Sequence, residues 1–249
     1  MVKVRPIKSA TRALSIFELF SREQRGLSVG EITKKLKIPQ PSVSMLLKNF
    51  VELGYLEYDR VSRRYIPNIR VALLGMWIGQ RFVEMGMLGA HLDALHAEVN
   101  ETAFLGIQNG ANAQYIVHQK GAATDGLNIR SGQFRSLTCS AMGRAILATK
   151  SDEEIAGWVR RCNAEASDPR HMVVLSEFFN IIAETRQRGY ASTKGDVTEG
   201  QGAYAIAFLS PFGQPLAVGV GGPIERMVGK EEVALAALKK FVSNLTNKS

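Results

Sequence analysis

Residues 28–54 constrain the fold more than any other stretch: Ser28-Val-Gly-Glu31-Ile-Thr-Lys-Lys-Leu-Lys-Ile-Pro-Gln40-Pro-Ser-Val-Ser-Met45-Leu-Leu-Lys-Asn-Phe50-Val-Glu-Leu-Gly54. Ser28 followed by Glu31 is a capping-box pair, in which hydroxyl and carboxylate satisfy each other's orphaned amides. Ile32 and Leu36 give a short apolar face at helical spacing, and Lys37-Ile38-Pro39 ends that helix. A second helix opens at Gln40 or Pro41, where a residue without an N–H is tolerated. Its apolar positions Val43, Leu46, Leu47, Phe50 and Val51 share one face, and Gly54 supplies the stop. The other face presents Gln40, Ser42, Ser44, Met45, Lys48 and Asn49. A capped short helix, a tight turn and a longer helix with a polar face match the plan of a helix-turn-helix reader. Spacing alone is equally compatible with a helical hairpin in a globular core.

The segment after this helix pair separates the two readings. Residues 55–66, from Tyr55 to Ile66, predict two short strands around a turn rich in Arg60, Arg63 and Arg64. A basic hairpin directly after a reading helix is the wing of a winged helix, placed to touch phosphate or the adjacent minor groove. Residues 1–70 carry 14 Lys and Arg against 6 Asp and Glu, while the other 179 residues carry 17 of each. The net charge of +8 therefore sits in the amino-terminal part, the asymmetry of a nucleic-acid-binding module joined to a neutral one. The DNA-facing residues expected from this surface are Ser28, Lys34, Lys35, Gln40, Ser42, Ser44, Met45, Lys48, Arg60, Arg63 and Arg64.

A chain of 249 residues suits two modest domains. The two distant cysteines, Cys139 and Cys162, imply a reducing compartment and no disulfide framework. The amino terminus lacks the apolar core of a secretory signal. The uncharged stretch from Gln201 to Ile224 holds three prolines and five glycines, so it reads as strand–turn–strand rather than a membrane span. A cytoplasmic protein with no membrane partner is expected.

Taken in order, residues 1–8 form a basic tail with Lys3, Arg5 and Lys8. Ser9 to Phe20 predicts a first helix whose side with Ala13, Ile16, Phe17 and Phe20 is the platform for the next two. Pro67-Asn68 marks a boundary, and Ile69 to about Arg81 predicts an apolar linker helix with Leu73, Leu74, Met76, Trp77 and Ile78. Too many of its faces are apolar for a surface helix, so it is expected to pair with a second subunit. The next helix runs from Leu88 to Glu98. His91 and His96 stand five apart, not at zinc-binding spacing, and read as surface or interface histidines.

Beyond Asn100, Thr102–Gln108 and Gln114–Gln119 predict a hairpin around Asn109-Gly110. A further strand is expected at Leu127–Arg130. Helices are expected at Ser151–Arg161, Leu175–Arg188 and Glu231–Leu245, with strands at Ala203–Leu209 and Leu216–Gly222 turned by residues 211–214. The order suggests one antiparallel sheet with helices on its faces, an α+β sensor domain. Ser140 is a plausible N-cap for a helix from Ala141 to Ala148. The hydroxyls of Thr138 and Ser140 with the free amides at that helix start would cradle a carboxylate, and Arg130 or Arg135 could add charge. A capped core helix with nothing bound explains the same residues. No phosphate loop, nucleophile elbow, metal-spaced cluster or acid–base pair is present, which leaves an enzyme weakly supported.

These residues resemble the IclR family of bacterial transcriptional regulators over nearly the whole chain. Gly26 to Leu36, Ile38-Pro39 and Glu52-Leu-Gly-Tyr55 look like its winged helix-turn-helix. Leu137 to Ala148, Arg188-Gly-Tyr190, Gly202 to Ala207 and Gly222-Pro223 are similar to its effector-domain landmarks. The resemblance implies an α+β chain in three parts. These are a winged helix-turn-helix at 1–68, a linker helix at 69–87, and an antiparallel-sheet effector domain of the GAF or profilin-like kind at 88–249. It also implies a homodimer or homotetramer on double-stranded DNA with a palindromic operator, responding to a small organic acid, without metal or cofactor. The effector site it implies comprises Arg130, Leu137, Cys139, Ser140, Ala141, Met142, Gly195, Ala203, Ala205, Gly219 and Gly221. The chain departs from the family pattern at Met45, where arginine is usual, and at Arg144, where lysine is commoner. It departs again at Gly219 and Gly221, where serines are frequent, at Ala205, where cysteine is frequent, and in the segment from Ser192 through Lys194 to Gly195. Fewer hydroxyls and an added lysine predict a roomier pocket for a bulkier, aromatic or acyl acid. The alternative is a metabolic enzyme acting on a small acid, with the basic domain as an attached module. A dimerising scaffold with an empty pocket is a third reading.

Overall fold

The computed structural model describes residues 7–76, 88–121, 126–210 and 213–246. Residues 1–6 of the expected basic tail, the far part of the expected linker helix with Trp77 and Ile78, and Pro211 and Phe212 of the expected turn lie outside the described residues, and Lys8 of that tail already belongs to the first helix. The chain divides into two compact units at residues 80/81.

In the first unit, α1 (Lys8–Glu23), α2 (Val29–Leu36) and α3 (Gln40–Glu52) precede a hairpin of β1 (Leu56–Asp59) and β2 (Arg64–Pro67). The apolar spacing of each helix meets in one core of Ile16, Leu19, Phe20, Ile32, Val43, Leu47 and Phe50, closed by Leu56 and Tyr65. Ile16, Ile32, Val43 and Leu47 are fully buried, each contributing about 1.5–3 kcal/mol of transfer free energy. Ser28 and Glu31 form the expected reciprocal cap. The Tyr65 carbonyl accepts from the Leu27 amide at 3.0 Å and the Leu27 carbonyl from the Tyr65 amide at 2.9 Å, which fastens the hairpin to the start of α2. Gly54 has φ +76°, a left-handed conformation that turns the chain from α3 into β1. Residues 70–76 are helical, and Ile69, Leu73, Leu74 and Met76 are exposed along that segment.

The second unit begins with α4 (Leu88–Val99), β3 (Thr102–Asn109), β4 (Asn112–Gln119) and β5 (Phe134–Ser136). It continues through α5 (Ala141–Ala148), α6 (Asp152–Glu165), a 3-10 turn at Pro169–His171 and α7 (Leu175–Arg188). The strands β6 (Ala191–Lys194), β7 (Gln201–Leu209) and β8 (Pro215–Pro223) and the helices α8 (Ile224–Gly229) and α9 (Glu231–Thr246) complete it. The six strands form one antiparallel sheet in the order β5-β4-β3-β8-β7-β6. Leu92, Leu95 and Val99 of α4 with Leu238 and Phe241 of α9 cover one face. Ile146 of α5, Ile155 of α6 and Phe178 of α7 cover the other.

One expectation changes here. Leu127–Arg130 is not a strand: the Gln133 amide donates to the Arg130 carbonyl, forming a turn, and hydrogen bonding to β4 starts at Gly132, whose amide donates to the Tyr115 carbonyl, and Gln133, whose carbonyl accepts from the Tyr115 amide. His91 and His96, expected as surface or interface groups, are half-buried. His96 Nδ1 lies 2.9 Å from the Glu101 carbonyl oxygen, and the His91 ring stands edge-on to Phe241. The short strands β5 and β6 and the helix α8 were not anticipated.

Candidate DNA-reading surface and effector site

On α3, Gln40, Met45 and Lys48 are exposed, and Met45 keeps 67% of its surface. Ser44 is half-buried on the same helix. Ser42 is occupied, because its hydroxyl accepts from Arg12 Nη1 at 3.0 Å. Sequence periodicity gave no hint of this arginine, which reaches the reading helix from α1. Lys34 and Lys35 are exposed, and Lys35 pairs with Glu23 at 2.8 Å. A phosphate can displace this solvent-screened pair.

The expected basic residues of the wing divide. Arg60 and Arg63 are exposed at its turn, and Asp59 shapes that turn by accepting from the Val61 amide at 2.8 Å and from the Ser62 hydroxyl. The Ser62 hydroxyl, then the Val61 amide, hold the Asp59 carboxyl below its ordinary value. Arg64 instead points back to the body: Nη1 donates to the Gly26 carbonyl at 2.7 Å and to Glu31 at 3.0 Å. Ser28 is likewise engaged, its amide donating to Glu31 at 2.8 Å and its hydroxyl at 2.9 Å. Arg64 thus joins the wing to α2 through Glu31, the residue that also closes the cap on Ser28. The Ser28 amide first, then Arg25, hold the Glu31 carboxyl down at about 2.

In the second unit a narrow cleft of about 30 Å³ lies at the start of α5. Ser140, Ala141 and Met142 form one wall, Phe104, Tyr115 and Ala203 the sheet side, and Val197 and Thr198 the roof. Ser140 caps α5 as expected, accepting from the Gly143 amide at 3.1 Å. Gly143 allows α5 to cross the preceding chain, since a Cβ there would stand 2.4 Å from Leu137 Cα. The roof is tied down by Arg144, which donates to the Thr138 carbonyl at 2.8 Å and to Asp196 at 2.6 Å. Burial pushes the Tyr115 phenol up to about 12, so it stays a neutral donor.

Of the expected effector residues, Ser140, Ala141, Met142 and Ala203 meet in this cleft. Arg130 is exposed and lines neither this cleft nor the larger cavity beside it, whereas Arg135 lines both. Leu137 and Ala205 are fully buried in the core, Gly195 holds a turn at φ +84°, and Cys139 opens onto the neighbouring cavity. The hydroxyl cradle does not form. Thr138 Oγ1 is buried against Ser136 Oγ at 2.9 Å, and Ser140 Oγ donates to the Ser136 carbonyl at 2.9 Å. Gly219 and Gly221 do not themselves leave open space. A Cβ on Gly219 would lie 2.4 Å from the Phe104 ring, and one on Gly221 would lie 2.9 Å from Leu127. Larger neighbours fill the space that the missing side chains leave, and Lys194 is exposed away from the cleft.

Residues 86–247 match the model of the bacterial transcriptional regulator IclR C-terminal domain, and residues 9–60 match the IclR helix-turn-helix domain. The chain belongs to the IclR family of bacterial transcriptional regulators. Its first unit is accordingly a DNA-binding domain and its second a small-molecule effector domain. The Pca regulon regulatory protein of Pseudomonas putida is 22% identical over 216 residues, covering 84% of this chain and 72% of that protein. The crystal structure of an IclR regulator from Alicyclobacillus acidocaldarius shares the fold with a TM-score of 0.79 and 21% identity, over 98% of this chain and 100% of the other. An IclR homolog from Microbacterium hydrocarbonoxydans, solved as a complex with 4-hydroxybenzoate, superposes with a TM-score of 0.76 at 13% identity, covering 96% and 99%. Related proteins carry the names of regulators and repressors, not of enzymes. Among the described residues no helix is long and apolar enough to cross a membrane, and no His, Cys, Asp and Glu cluster could hold a metal.

Proposed function

We propose that this regulator binds a palindromic operator as a homodimer or homotetramer and that a small organic acid in its second domain changes its hold on DNA. The observation that carries this reading is the exposed face of α3 beside a basic wing. Gln40 and Met45 stand clear of the core, and Arg60 and Arg63 project from the turn next to them. Gln40, Ser44 and Met45 face base edges in this arrangement. Glutamine suits adenine and methionine the thymine methyl, so the preference leans toward A·T steps. Lys34, Lys35, Lys48, Arg60 and Arg63 hold phosphates, which sets affinity and salt dependence without reading sequence. Exposed Ile69, Leu73, Leu74 and Met76 support self-association through the segment after the wing. The acid-sensing part rests on the carboxylate-compatible Arg135 beside the α5 cleft and on the 4-hydroxybenzoate complex of the Microbacterium homolog.

Gel shifts on duplex DNA upstream of the protein's own gene, repeated across a panel of aliphatic, aromatic and hydroxylated acids, test the proposal. A retained band that one acid weakens or strengthens is expected. A band that no acid changes refutes the sensing part, and Gln40→Ala with unaltered base preference refutes the assignment of α3.

A further inference from the structure

Next to the cleft lies a larger cavity of about 290 Å³, between β5, the end of α6 and the 3-10 turn. Arg135 and Val197 line both spaces. The cleft by itself has room for little more than a water molecule, whereas the side chamber can take the body of a small organic acid.

The charge arrangement favours an acid. Arg135 is half-buried, and no hydrogen-bonding or ion-pair partner holds its guanidinium among the described residues. An unpaired cation withdrawn from bulk water is unfavourable, and a carboxylate placed on its planar fork offsets that penalty with two parallel hydrogen bonds. The carboxylate of the wall, Glu165, pairs with Arg161 at 2.8 Å. The rest of the wall is rich in hydrogen-bonding groups, with Asn112, Ser136 and His171 beside the thiols of Cys139 and Cys162. Cys139 Sγ donates to the His171 carbonyl at 3.4 Å and Cys162 Sγ to the Ala111 carbonyl at 3.3 Å, so both thiols sit in the chamber wall.

We propose that the effector lies with its carboxylate on Arg135 and its body in this side chamber, and that the body carries hydroxyl groups instead of being plain hydrocarbon. The assignment rests on the reading of this domain as an acid receptor, and it moves the specificity-determining wall to Asn112, Ser136 and His171.

Cys139 and Cys162 are the chain's two cysteines, so thiol labelling of the intact protein reports on the chamber. The reagents are a sulfonate-bearing and a trimethylammonium-bearing ethyl methanethiosulfonate of similar size. In each, the thiolate attacks the sulfenyl sulfur, a mixed disulfide forms and methanesulfinate leaves. Each rate is divided by that of free cysteine, and single Cys139→Ser and Cys162→Ser proteins assign the reacting thiol. Any effect of Arg135 on thiolate content cancels in the ratio of the two reagents. The anionic reagent is expected to be favoured about tenfold, the order of one charge attracted and the other repelled across a few ångströms of partly hydrated protein. Arg135→Gln should abolish that preference, Arg135→Lys should keep part of it, and 4-hydroxybenzoate should slow labelling more than benzoate does. A ratio within about twofold of free cysteine, a preference unchanged in Arg135→Gln, or a folded protein that resists labelling overturns the chamber as the acid's place. Equal or no protection by the two benzoates overturns the hydroxylated body. None of these results affects the gel shift, so failure of the chamber and failure of the regulator reading are distinguishable.

Discussion

Replacing Glu31 with alanine tests how the capping box of α2 supports the wing. The Glu31 carboxylate accepts from the Ser28 amide at 2.8 Å, the Ser28 hydroxyl at 2.9 Å, Arg25 at 2.8 Å and Arg64 at 3.0 Å. Loss of the reciprocal cap costs about 1 kcal/mol. The two ion pairs, with arginine side chains about 40% exposed, add no more than about 1 kcal/mol each after solvent screening. The total is about 1–3 kcal/mol. For a domain of this size each kcal/mol moves Tm by about 4–8 °C, so the DNA-binding unit should melt roughly 5–20 °C lower. The effector-domain transition should stay in place. The pH dependence has a definite sign. Glu31 in the folded protein titrates at about 2, below its ordinary value of 4.5, so its contribution is complete above that ordinary value and fades as the pH falls toward 2. Differential scanning calorimetry of the full chain at pH 7, 5 and 3 should show the gap between wild type and Glu31→Ala shrinking in acid. A first transition unmoved at pH 7, or a gap constant with pH, would refute the reasoning.

Other perturbations address the remaining parts. Arg63→Ala should weaken binding to all duplexes about equally and reduce the slope of log Kd against log salt by about one unit, measured by anisotropy titration. Gly219→Ser should destabilise the effector domain by about 1–3 kcal/mol through overpacking against Phe104, read as a lowered urea midpoint. A neutral or stabilising result would mean that Phe104 is not locked in place. Arg144→Met should cost about 2–4 kcal/mol, because it leaves Asp196 and the Thr138 carbonyl without a buried arginine, and Arg144→Lys should recover part of the loss in the same urea titration. Tyr115 and Tyr204, both pushed up to about 12 by burial, should remain protonated in an ultraviolet titration after exposed tyrosines have ionised near pH 10.

The elements that sequence displays best are those whose physics is local. Ser28 with Glu31 and Ser151 with Glu154 cap their helices by contacts three residues apart. Asn109-Gly110 turns its hairpin, and Gly189 ends α7 in a left-handed cap. β5 and β6 escaped because three and four residues with mostly polar side chains carry no readable alternation. They become strands only by pairing with β4 and β7. The sites were less legible for a related reason. Gly219 and Gly221, lacking the hydroxyls of serine, suggested empty space, yet the volume is occupied by Phe104 and Leu127, far away in sequence. Arg64 looked like a free wing cation until the fold brought it onto Glu31. Ser42, expected to face base edges, also accepts from Arg12 of α1, a partner that its own helix does not reveal. Periodicity reports which face of an element is buried, but not which polar partner a folded chain delivers to the other face.

We propose that the amino-terminal surface of α3 and the wing is shaped to a double helix. Its most direct test is the affinity of the purified protein for duplex DNA from upstream of its own gene, titrated from dilute buffer to physiological salt. Binding should weaken linearly on a log–log plot with a slope of several units, steeper than that of the Arg60→Ala, Arg63→Ala double variant. No binding in dilute buffer, with or without acids, or a slope unchanged in the variant, would contradict it.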